Sequence, residues 1–352
     1  MKWPVASVRP WQRAQPPARV LAIRLHALGD IAITLPYLHA FHELYGSPAI
    51  DFLTRTEYAP LPGSLTIVHD VFDFDGGRRF KGQFMAALAL APRLIRRRYD
   101  VVLDLQNNEI SRTIRSLVRP LAWSTFEARP TGHAAERTRR AIESAGFPLP
   151  RVSATMDLRS RDAGIDILRQ AGWSAERELV VLSPSGAFVT RNWPTEHYGK
   201  FARLWAIRRP TQFVVLGTRQ IVEKAAALQD AVGSGLLNLA GKTTLSEALG
   251  ILQRATLVLT EDCGLMHMAW TSGVPTLALF GSSRHDQAAP IGTHVGCLHS
   301  GDLPCGACMD STCRFGDVHC LTRFEPRFVV SEAERLLARL LRGERTCYPL
   351  AM

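Results

Sequence analysis

The sequence predicts an α/β protein built from two doubly wound, Rossmann-like domains. Short apolar segments typical of strands alternate with longer segments whose apolar residues recur at helical spacing. This alternation runs through the first half of the chain and starts again in the second half. With 352 residues, the chain also exceeds the usual size of one hydrophobic core. We therefore expect two parallel sheets covered by helices, with ligands at the carboxyl ends of the strands.

The first half opens with a strand, a turn and a helix. Residues 20–25 (VLAIRL) alternate as a strand does, and Leu28, Gly29 and Asp30 form a turn. The helix that follows is predicted to stop at Gly46. Further strands are predicted at residues 49–54, 68–74 and 99–105, and the last of them ends in a polar QNN turn.

The second half repeats this scheme. A strand at residues 179–183 leads into the loop PSGAFVTRNWP, in which Trp193 is expected to pack rather than to bind. The remaining strands, which complete a sheet of about five, are predicted at residues 212–217, 237–239, 258–260 and 276–280. Helices are predicted around residues 198–205, 221–232 and 245–253. Residues 151–175 are expected to hold a linker and a short helix.

Residues 257–281 (LVLTEDCGLMHMAWTSGVPTLALFG) are the most informative segment. They predict a strand, an acidic turn, a helix, a Gly-Val-Pro turn and a second strand. The backbone can bend sharply at Gly264, and the helix would then direct its free N–H groups at a ligand. An anion such as a phosphate is the expected occupant. The alternative is an ordinary α/β turn.

Charge and hydropathy limit the possible partners. The net charge is +10, and residues 1–150 carry 20 Lys and Arg against 13 Asp and Glu. Basic clusters at residues 78–81, 96–98 and 137–140 could attract phosphates, an acidic glycan or an anionic membrane; otherwise they are solvated helix faces. No aromatic platform or finger pattern supports a nucleic-acid partner. No apolar run is long enough to span a bilayer.

The segment boundaries follow from these patterns. Residues 1–19 are predicted to be a flexible basic lead-in, although Trp3 and Trp11 could contact a membrane. The remaining segments are an N-terminal domain at 20–160, a C-terminal domain at 175–330 with a Cys-rich segment at 297–320, and a helix and tail at 331–352.

Four cysteines lie close together in the sequence. Cys305, Cys308, Cys313 and Cys320 follow the pattern CxxCx4Cx6C, which is compact enough for a tetrahedral thiolate site. We expect either a structural zinc or iron ion, with His319 as a spare ligand, or four reduced thiols in a loop. The chain is expected to be cytoplasmic, which argues against disulfides.

Five segments carry a family resemblance when taken in order: RLHALGDIAITLP, YDVVLDLQNN, SPSGAFVTRNWPTEHYGKFA, NLAGKTTLSEALGIL and EDCGLMHMAWTSGVPTLALFG. The set resembles the glycosyltransferase family 9 enzymes, the ADP-heptose:lipopolysaccharide heptosyltransferases. The resemblance implies a GT-B fold, with two Rossmann-like domains facing a central cleft. It also implies inverting transfer of heptose from ADP-L-glycero-D-manno-heptose to the inner core of lipopolysaccharide, with no cofactor required for catalysis.

The same resemblance implies partners and a location. The donor is ADP-heptose, and the acceptor is an acidic glycolipid of the lipid A/Kdo type. The enzyme would work in the cytoplasm, peripherally at the anionic surface of the inner membrane.

Three competing hypotheses stay open. A family 9 enzyme using another nucleotide sugar or a protein acceptor would share every motif. A dinucleotide-dependent oxidoreductase has less support, because no full GxGxxG follows the first strand. The third hypothesis is an inactive binding module.

Catalytic roles are carried over by position. Asp30 is implied to be the general base that takes the proton of the acceptor hydroxyl; the alternative is a helix N-cap. Arg191 stands where the family usually has Lys, and its guanidinium can hold the leaving phosphate. The implied donor-binding residues are Gly186, Ala187, Lys242, Thr243, Asp262, Cys263, Gly264, Leu265 and His267, of which His267 could instead be a core histidine. The excess of Arg in the N-terminal domain suits an acidic, phosphorylated acceptor. The candidate acceptor-binding residues are Gly29, Arg112, Arg115, His133 and Arg137; the alternative for the last four is that they are merely exposed.

Three positions depart from the family pattern. Glu261 replaces Asn, and Cys263 replaces Ser or Thr, which removes a good hydroxyl donor. After Gly217, where some relatives have a carboxylate, this chain has Thr218-Arg219-Gln220, and Glu223 is the first acid. These departures leave the nucleotide preference open.

Overall fold

The computed structural model describes residues 8–127, 132–150, 152, 154–160 and 162–344. The chain divides into two compact units, Met1–Arg159 and Ser160–Met352. The sequence places the end of the first domain at residue 160. The short helix predicted after it, Ile165–Gln170, belongs to the second unit.

The first unit contains one parallel sheet of five strands in the order β3-β2-β1-β4-β5. The strands are β1 (Arg19–Ile23), β2 (Ala49–Arg55), β3 (Val68–Phe74), β4 (Val101–Asp104) and β5 (Ala122–Trp123). The helices are α1 (Leu28–Leu44), α2 (Pro60–Gly63), α3 (Phe80–Ala89), α4 (Ala91–Arg96), α5 (Glu109–Val118) and α6 (Ala134–Ser144). Strand residues such as Leu21, Ile23 and Val102 are fully buried and pack against the helices on one face of the sheet.

The second unit contains a parallel sheet of six strands in the order β11-β10-β9-β6-β7-β8. The strands are β6 (Glu178–Ser183), β7 (Thr211–Val215), β8 (Leu236–Asn238), β9 (Leu257–Glu261), β10 (Thr276–Phe280) and β11 (Val295–His299). The helices are α7 (Ile165–Gln170), α8 (Thr195–Ala206), α9 (Val222–Val232), α10 (Leu245–Leu252), α11 (Gly264–Thr271), α12 (His285–Ala288), α13 (His319–Thr322) and α14 (Pro326–Leu341). In the described part of this unit, short 3-10 turns lie at Val189–Arg191, Arg219–Ile221 and Gly233–Gly235.

Aromatic residues fill the core of the second unit beneath α8 and α14. Trp193, Tyr198, Phe201 and Trp205 are almost fully buried and belong to one apolar cluster with Phe324. The apolar spacing of α8 follows from this packing, because Tyr198, Phe201, Ala202 and Trp205 face one side of the helix.

The strand order reverses at one place in each sheet. In the first unit β1 lies between β2 and β4, and Ile23 is in register with Asp104. In the second unit β6 lies between β7 and β9, and Ser183 is in register with Thr260. In open parallel sheets, ligands generally bind where the loops that leave such neighbouring strands diverge, at the carboxyl ends of the strands. These two switch points lie at the ends of β1 and β4 and of β6 and β9.

Two strands and one ordered segment were not predicted from the sequence. β5 has only two residues, and β11 lies where the sequence predicts the start of the Cys-rich segment. The second sheet thus has six strands rather than about five. The lead-in is also not loose from residue 8 onward, because Arg9 pairs with Trp123 and the Trp11 backbone N–H donates to the Ala145 carbonyl at 2.8 Å. Trp3 lies outside the described residues.

Within the described residues, no helix combines the length and the apolar character needed to cross a bilayer.

Candidate active site

Asp30 lies in the first turn of α1, directly after β1. The N-cap of this helix is Ala27, and Asp30 is the third helical residue, so Asp30 caps the helix from the capping-box position and not from the predicted N-cap position. One carboxylate oxygen still accepts the Ala27 N–H at 3.4 Å and forms an ion pair with Arg24 at 2.7 Å. The Asp30 side chain is 39% exposed. The carboxylate is therefore oriented from one side and accessible from the other.

Arg24 is a site residue that the sequence interpretation missed. Its side chain is 7% exposed, and its guanidinium donates to the Leu105 carbonyl at the end of β4. The same guanidinium lies 4.6 Å from the centroid of the Phe126 ring, and that of Arg137 lies 4.5 Å from the same ring. Two cations thus gather beside Asp30. The available signal was a lone arginine in the otherwise apolar strand predicted at residues 20–25.

The turn after β4 is built on a buried carboxylate. Asp104 is 0% exposed and accepts the Asn107 N–H at 2.8 Å. Burial raises the pKa of Asp104, while this N–H group and Arg115 oppose the rise. Gln106 in turn accepts the Leu25 N–H at 2.9 Å, which connects this turn to the end of β1. The polar QNN turn therefore fixes the backbone around the first switch point.

The predicted acceptor-binding residues have different surroundings. Arg115 forms an ion pair with Asp104 at 3.1 Å, and the His133 ring accepts the Ala135 N–H at 3.1 Å as the N-cap of α6. Both contacts are structural. Arg137 donates to the Glu127 carbonyl at 3.0 Å, and its pKa is lowered by burial and by Arg24. Gly29 lies in the first turn of α1, and Arg112 lies on α5.

In the second unit, the loop of residues 184–194 between β6 and α8 is closed by one buried carboxylate. Glu261, the last residue of β9, is 0% exposed. Its two oxygens accept the Gly186 N–H at 2.7 Å and the Trp193 N–H at 2.6 Å. A side chain at Gly186 would collide with the Arg191 carbonyl, so this close loop requires glycine. Burial raises the pKa of Glu261 to about 8.

The β6–α8 loop places a cation beside an acidic turn. Arg191 forms an ion pair with Asp262 at 3.2 Å, and the two side chains are only 16% and 12% exposed. Asp262 directly precedes Cys263, the N-cap of α11, which makes no side-chain cap hydrogen bond. The first N–H groups of a helix have no partner inside the helix and favour anions. Arg191 and the amino end of α11 thus form an anion-binding arrangement at the second switch point.

His267 on α11 and Trp193 in the β6–α8 loop are both buried and hydrogen-bonded. His267 is 7% exposed, and its Nδ1 accepts the indole N–H of Trp270 at 3.1 Å. In the neutral ring the proton is therefore assigned to Nε2. Trp193 is 2% exposed and donates its indole N–H to the Phe324 carbonyl at 2.9 Å. It is a packing residue, as its sequence position favours.

The remaining predicted donor-binding residues lie in exposed turns. Ala187 is exposed at the tip of the β6–α8 loop. Lys242 donates to the Asn238 carbonyl at 2.8 Å, and Thr243 precedes Thr244, which caps α10. Thr218 caps a 3-10 turn by accepting the Gln220 N–H at 3.3 Å. The turn with Thr218 follows β7, and the turn with Lys242 and Thr243 follows β8.

Comparison with known proteins identifies the family. The family model described as glycosyltransferase family 9 (heptosyltransferase) matches residues 87–319. The chain belongs to glycosyltransferase family 9. It is 26% identical to lipopolysaccharide heptosyltransferase 1 of Pseudomonas aeruginosa, over 91% of this chain and 98% of that protein.

Solved structures give the fold of this family 9 enzyme. The structure of Escherichia coli ADP-heptose lipopolysaccharide heptosyltransferase II has a TM-score of 0.74 at 19% identity, covering 92% of this chain and 99% of that one. A glycosyl transferase family 9 structure from Veillonella parvula has a TM-score of 0.76 at 19% identity, covering 92% and 97%. The predicted GT-B fold and the predicted glycosyltransferase class are confirmed. The roles of individual residues stay predictions.

The cysteine segment of the family 9 enzyme does not form a ligand set. Cys305, Cys308, Cys313 and Cys320 are free thiols that line one pocket. Among the described residues, however, no group of three or more His, Cys, Asp or Glu side chains is arranged to hold a metal ion. Cys308 is exposed, and Cys320 is partly buried, which raises its pKa to about 11. The predicted coordination by all four thiols is thus absent from this conformation.

Proposed function

We propose that this enzyme transfers heptose, with inversion, from ADP-L-glycero-D-manno-heptose to the inner core of lipopolysaccharide. One observation carries the proposal: an accessible carboxylate stands at one switch point, and a cation with a helix amino terminus stands at the other. These are the two kinds of group that glycosyl transfer from a sugar diphosphate requires. The heptosyltransferase names of the relatives from P. aeruginosa and E. coli support this choice of sugar.

The reaction follows from the chemistry of these groups. The acceptor oxygen attacks the anomeric carbon of the donor, and its proton passes to the Asp30 carboxylate. The bond between the anomeric carbon and the diphosphate oxygen breaks, and ADP leaves with the electron pair. Attack opposite the leaving group inverts the anomeric centre. Arg24 holds Asp30 in place through their 2.7 Å ion pair.

The leaving diphosphate is stabilised by the second unit. Arg191 supplies a fixed positive charge, and the N–H groups of Gly264 and Leu265 begin α11. Gly186 allows close backbone approach in the same loop, and Asp262 orients the Arg191 guanidinium. Since cationic and N–H groups neutralise the leaving group, no cofactor is required for the transfer step. Lys242, Thr243, Cys263 and His267 complete the proposed donor site.

An acidic acceptor fits the charge around Asp30. Arg24 and Arg137 both lie over the Phe126 ring, and Arg112 lies on α5 of the same unit. Guanidinium groups bind carboxylates and phosphates through paired hydrogen bonds. A glycolipid of the lipid A/Kdo type carries such anions.

A panel of nucleotide sugars tests this function. Purified enzyme is incubated with an inner-core acceptor and ADP-heptose, and nucleotide release is measured against ADP-glucose, GDP-mannose and UDP-glucose. We expect release only with ADP-heptose and only when the acceptor is present. Preference for another nucleotide sugar, or release driven by a protein acceptor, would show that the enzyme uses different substrates within the family.

We also propose that α3 and α4 contact the anionic surface of the inner membrane from the cytoplasmic side. Only Ala87 of α3 is buried, whereas Phe80, Met85 and Ile95 are 49%, 62% and 44% exposed. Exposed basic residues lie close to these apolar residues in the sequence: Arg78, Arg79, Lys81, Arg93, Arg96 and Arg98. Exposed apolar side chains together with basic ones match the interface of an anionic bilayer.

Vesicle sedimentation tests this membrane contact. The wild-type enzyme should sediment with vesicles containing phosphatidylglycerol and remain in solution with phosphatidylcholine alone. The double variant F80E/M85E should lose sedimentation, while I207E, which changes a 79% exposed apolar residue of the second unit, should keep it. Equal sedimentation of the double variant and the wild type would contradict the proposed surface.

We propose further that the cysteine segment can close around one zinc or iron ion. Support comes from the spacing of the thiols and from the single pocket that all four line. The thiols would have to approach one another, because they are not arranged for ligation in the structure. Elemental analysis of the purified enzyme should give about one metal ion per chain. If the protein contains no metal and still releases nucleotide at the full rate, the four cysteines are reduced thiols and the metal proposal is wrong.

A further inference from the structure

The β6–α8 loop is closed by a residue that takes no part in the mechanism above. We propose that Glu261 is a positioning residue: its carboxylate joins the two ends of this loop and so fixes Arg191 for phosphate binding. This inference rests on the proposed function for the identity of the bound phosphate. The closing of the loop itself depends only on the contacts of Glu261.

The two hydrogen bonds of Glu261 enclose the loop from both sides. Gly186 lies near the start of the loop and Trp193 near its end, and each donates its backbone N–H to a different carboxylate oxygen, at 2.7 and 2.6 Å. Arg191 lies between these two anchor points. Because Asp262 follows Glu261 directly in the chain, the same backbone segment holds both the loop and the partner of the Arg191 guanidinium.

The polar neighbours of Glu261 favour its charged form. Both backbone neighbours are N–H donors, and the positive charge of Lys224 on α9 lowers the Glu261 pKa. The Tyr198 hydroxyl on α8 also lowers the Glu261 pKa. Burial outweighs these contacts and raises the Glu261 pKa to about 8. The charged and neutral forms therefore exchange near neutral pH.

Protonation removes part of the closure. When the Glu261 carboxyl group is neutral, one of its oxygens carries a hydrogen. This O–H group is itself a donor, so it is a poor acceptor for the backbone N–H that it faces. One of the two backbone contacts is weakened, and the loop is no longer held at both ends. Binding of the donor diphosphate should therefore strengthen as the pH rises through about 8.

Substitutions separate positioning from simple folding. E261Q keeps the size of the side chain but places an amide N–H against a backbone N–H, whereas E261D keeps the charge. Above about pH 8, where the Glu261 carboxyl is charged, we expect E261Q to weaken ADP binding, measured by calorimetry, and to raise the KM for the donor about ten- to hundredfold, with a smaller change in kcat. The control is E332Q, since Glu332 is a buried glutamate of α14 that pairs with Arg335 and should leave both values unchanged.

The pH profile gives a second readout. In the wild type, kcat/KM should rise through about pH 8. E261D should retain this rise, and E261Q should lack it. If the rise in kcat/KM also occurs in E261Q, it is caused by a group other than Glu261, and the proposal is overturned.

A titration of the free enzyme tests the anchor without any substrate. The amide proton signals of Gly186 and Trp193 in an NMR spectrum should shift together, with a midpoint near pH 8, because their acceptor changes charge. Flat signals across this range would overturn the proposal even if the enzyme transfers heptose. A clear titration with no ADP binding would instead remove the proposed function and keep the anchor.

Discussion

The two sheets share one strand order around their switch points, yet these points carry opposite kinds of chemistry. In the first unit, the Asp30 side chain is 39% exposed and forms an ion pair with Arg24. In the second unit, the carboxylate of Glu261 is completely buried and accepts hydrogen bonds from the backbone N–H groups of Gly186 and Trp193. What remains near the surface there is Arg191 with the start of α11. The fold determines where polar groups gather, and burial determines whether a carboxylate stays accessible to a ligand or is used by the backbone of a loop.

The largest expected effect tests the exposed carboxylate. The variant D30A should lower kcat about 10²- to 10⁴-fold, because general-base assistance is lost. ADP affinity, measured by calorimetry, should stay close to the wild-type value, since Asp30 belongs to the first unit. The control D157N changes an aspartate of that unit which pairs with His39 at 3.2 Å, and it should retain activity. Turnover of D30A within tenfold of the wild type would remove the contrast between the two carboxylates.

The next effect tests the cation of the second unit. R191A should lower kcat/KM about 10²- to 10³-fold, because the departing phosphate loses a preorganised charge. ADP affinity should fall as well, which distinguishes R191A from D30A. R191K should recover part of the loss, whereas R208A, which changes an exposed arginine paired with Glu334, should behave as the wild type. Unchanged ADP binding in R191A would place the phosphate elsewhere.

A third effect concerns stability and sharpens the role of burial. The folded-state pKa of Glu261 is raised from 4.5 to about 8, so the folded protein binds this proton more tightly than the unfolded chain. The resulting stabilisation is complete below about pH 4.5 and is lost as the pH rises through about 8. E261Q has no such dependence. Thermal unfolding from pH 5 to 9 should show the Tm of the wild type falling relative to E261Q by roughly 10 °C.

The melting temperature and the affinity for the donor diphosphate should therefore change in opposite directions as the pH rises. Between about pH 5 and 8, the charge that closes the loop costs folding stability. Parallel melting temperatures of the two proteins across this range would show that Glu261 is charged at every pH tested.

The smallest expected effect lies at the start of α11. Cys263 is the N-cap but makes no side-chain cap bond, and its thiol lies 3.6 Å from the Ser183 hydroxyl and 3.5 Å from that of Thr260. C263S supplies a better acceptor and should stabilise the protein by about 1 kcal/mol. Its Tm should rise by roughly 2 to 4 °C while kcat changes little. A lower Tm would mean that the hydroxyl is poorly accommodated there.

Sequence periodicity was sufficient for the fold and for the position of Asp30 after the first strand, because the ends of parallel strands meet at one edge of a sheet. Arg191 was selected by the family resemblance, and periodicity placed only its loop after a strand. Periodicity was insufficient for β5, because two residues show no alternation, and for Arg9 and Trp11, which are ordered by contacts with distant residues. The family and the GT-B fold predicted from the ordered motifs are confirmed by the comparisons.

Long-range contacts explain what the sequence missed in the site. Arg24 pairs with a residue six positions away but also with the Leu105 carbonyl, and Glu261 accepts backbone groups about 70 positions away. Every residue except proline has a backbone N–H and every residue has a C=O, so hydrogen bonds to these groups cannot be recognised from the residue types in one sequence. For the same reason the sequence could not distinguish Arg115, which neutralises buried Asp104, from an arginine that binds substrate.

The hydrogen bond between Trp193 and Phe324 bears on how this enzyme can be divided. The matched family segment ends at residue 319, whereas Phe324 and the apolar face of α14 lie beyond it, in the same core as Trp193. A fragment trimmed at that boundary would deprive the indole of its acceptor and uncover the apolar side of α8. Expression of the second unit on its own should therefore extend at least to Leu341, the last residue of α14.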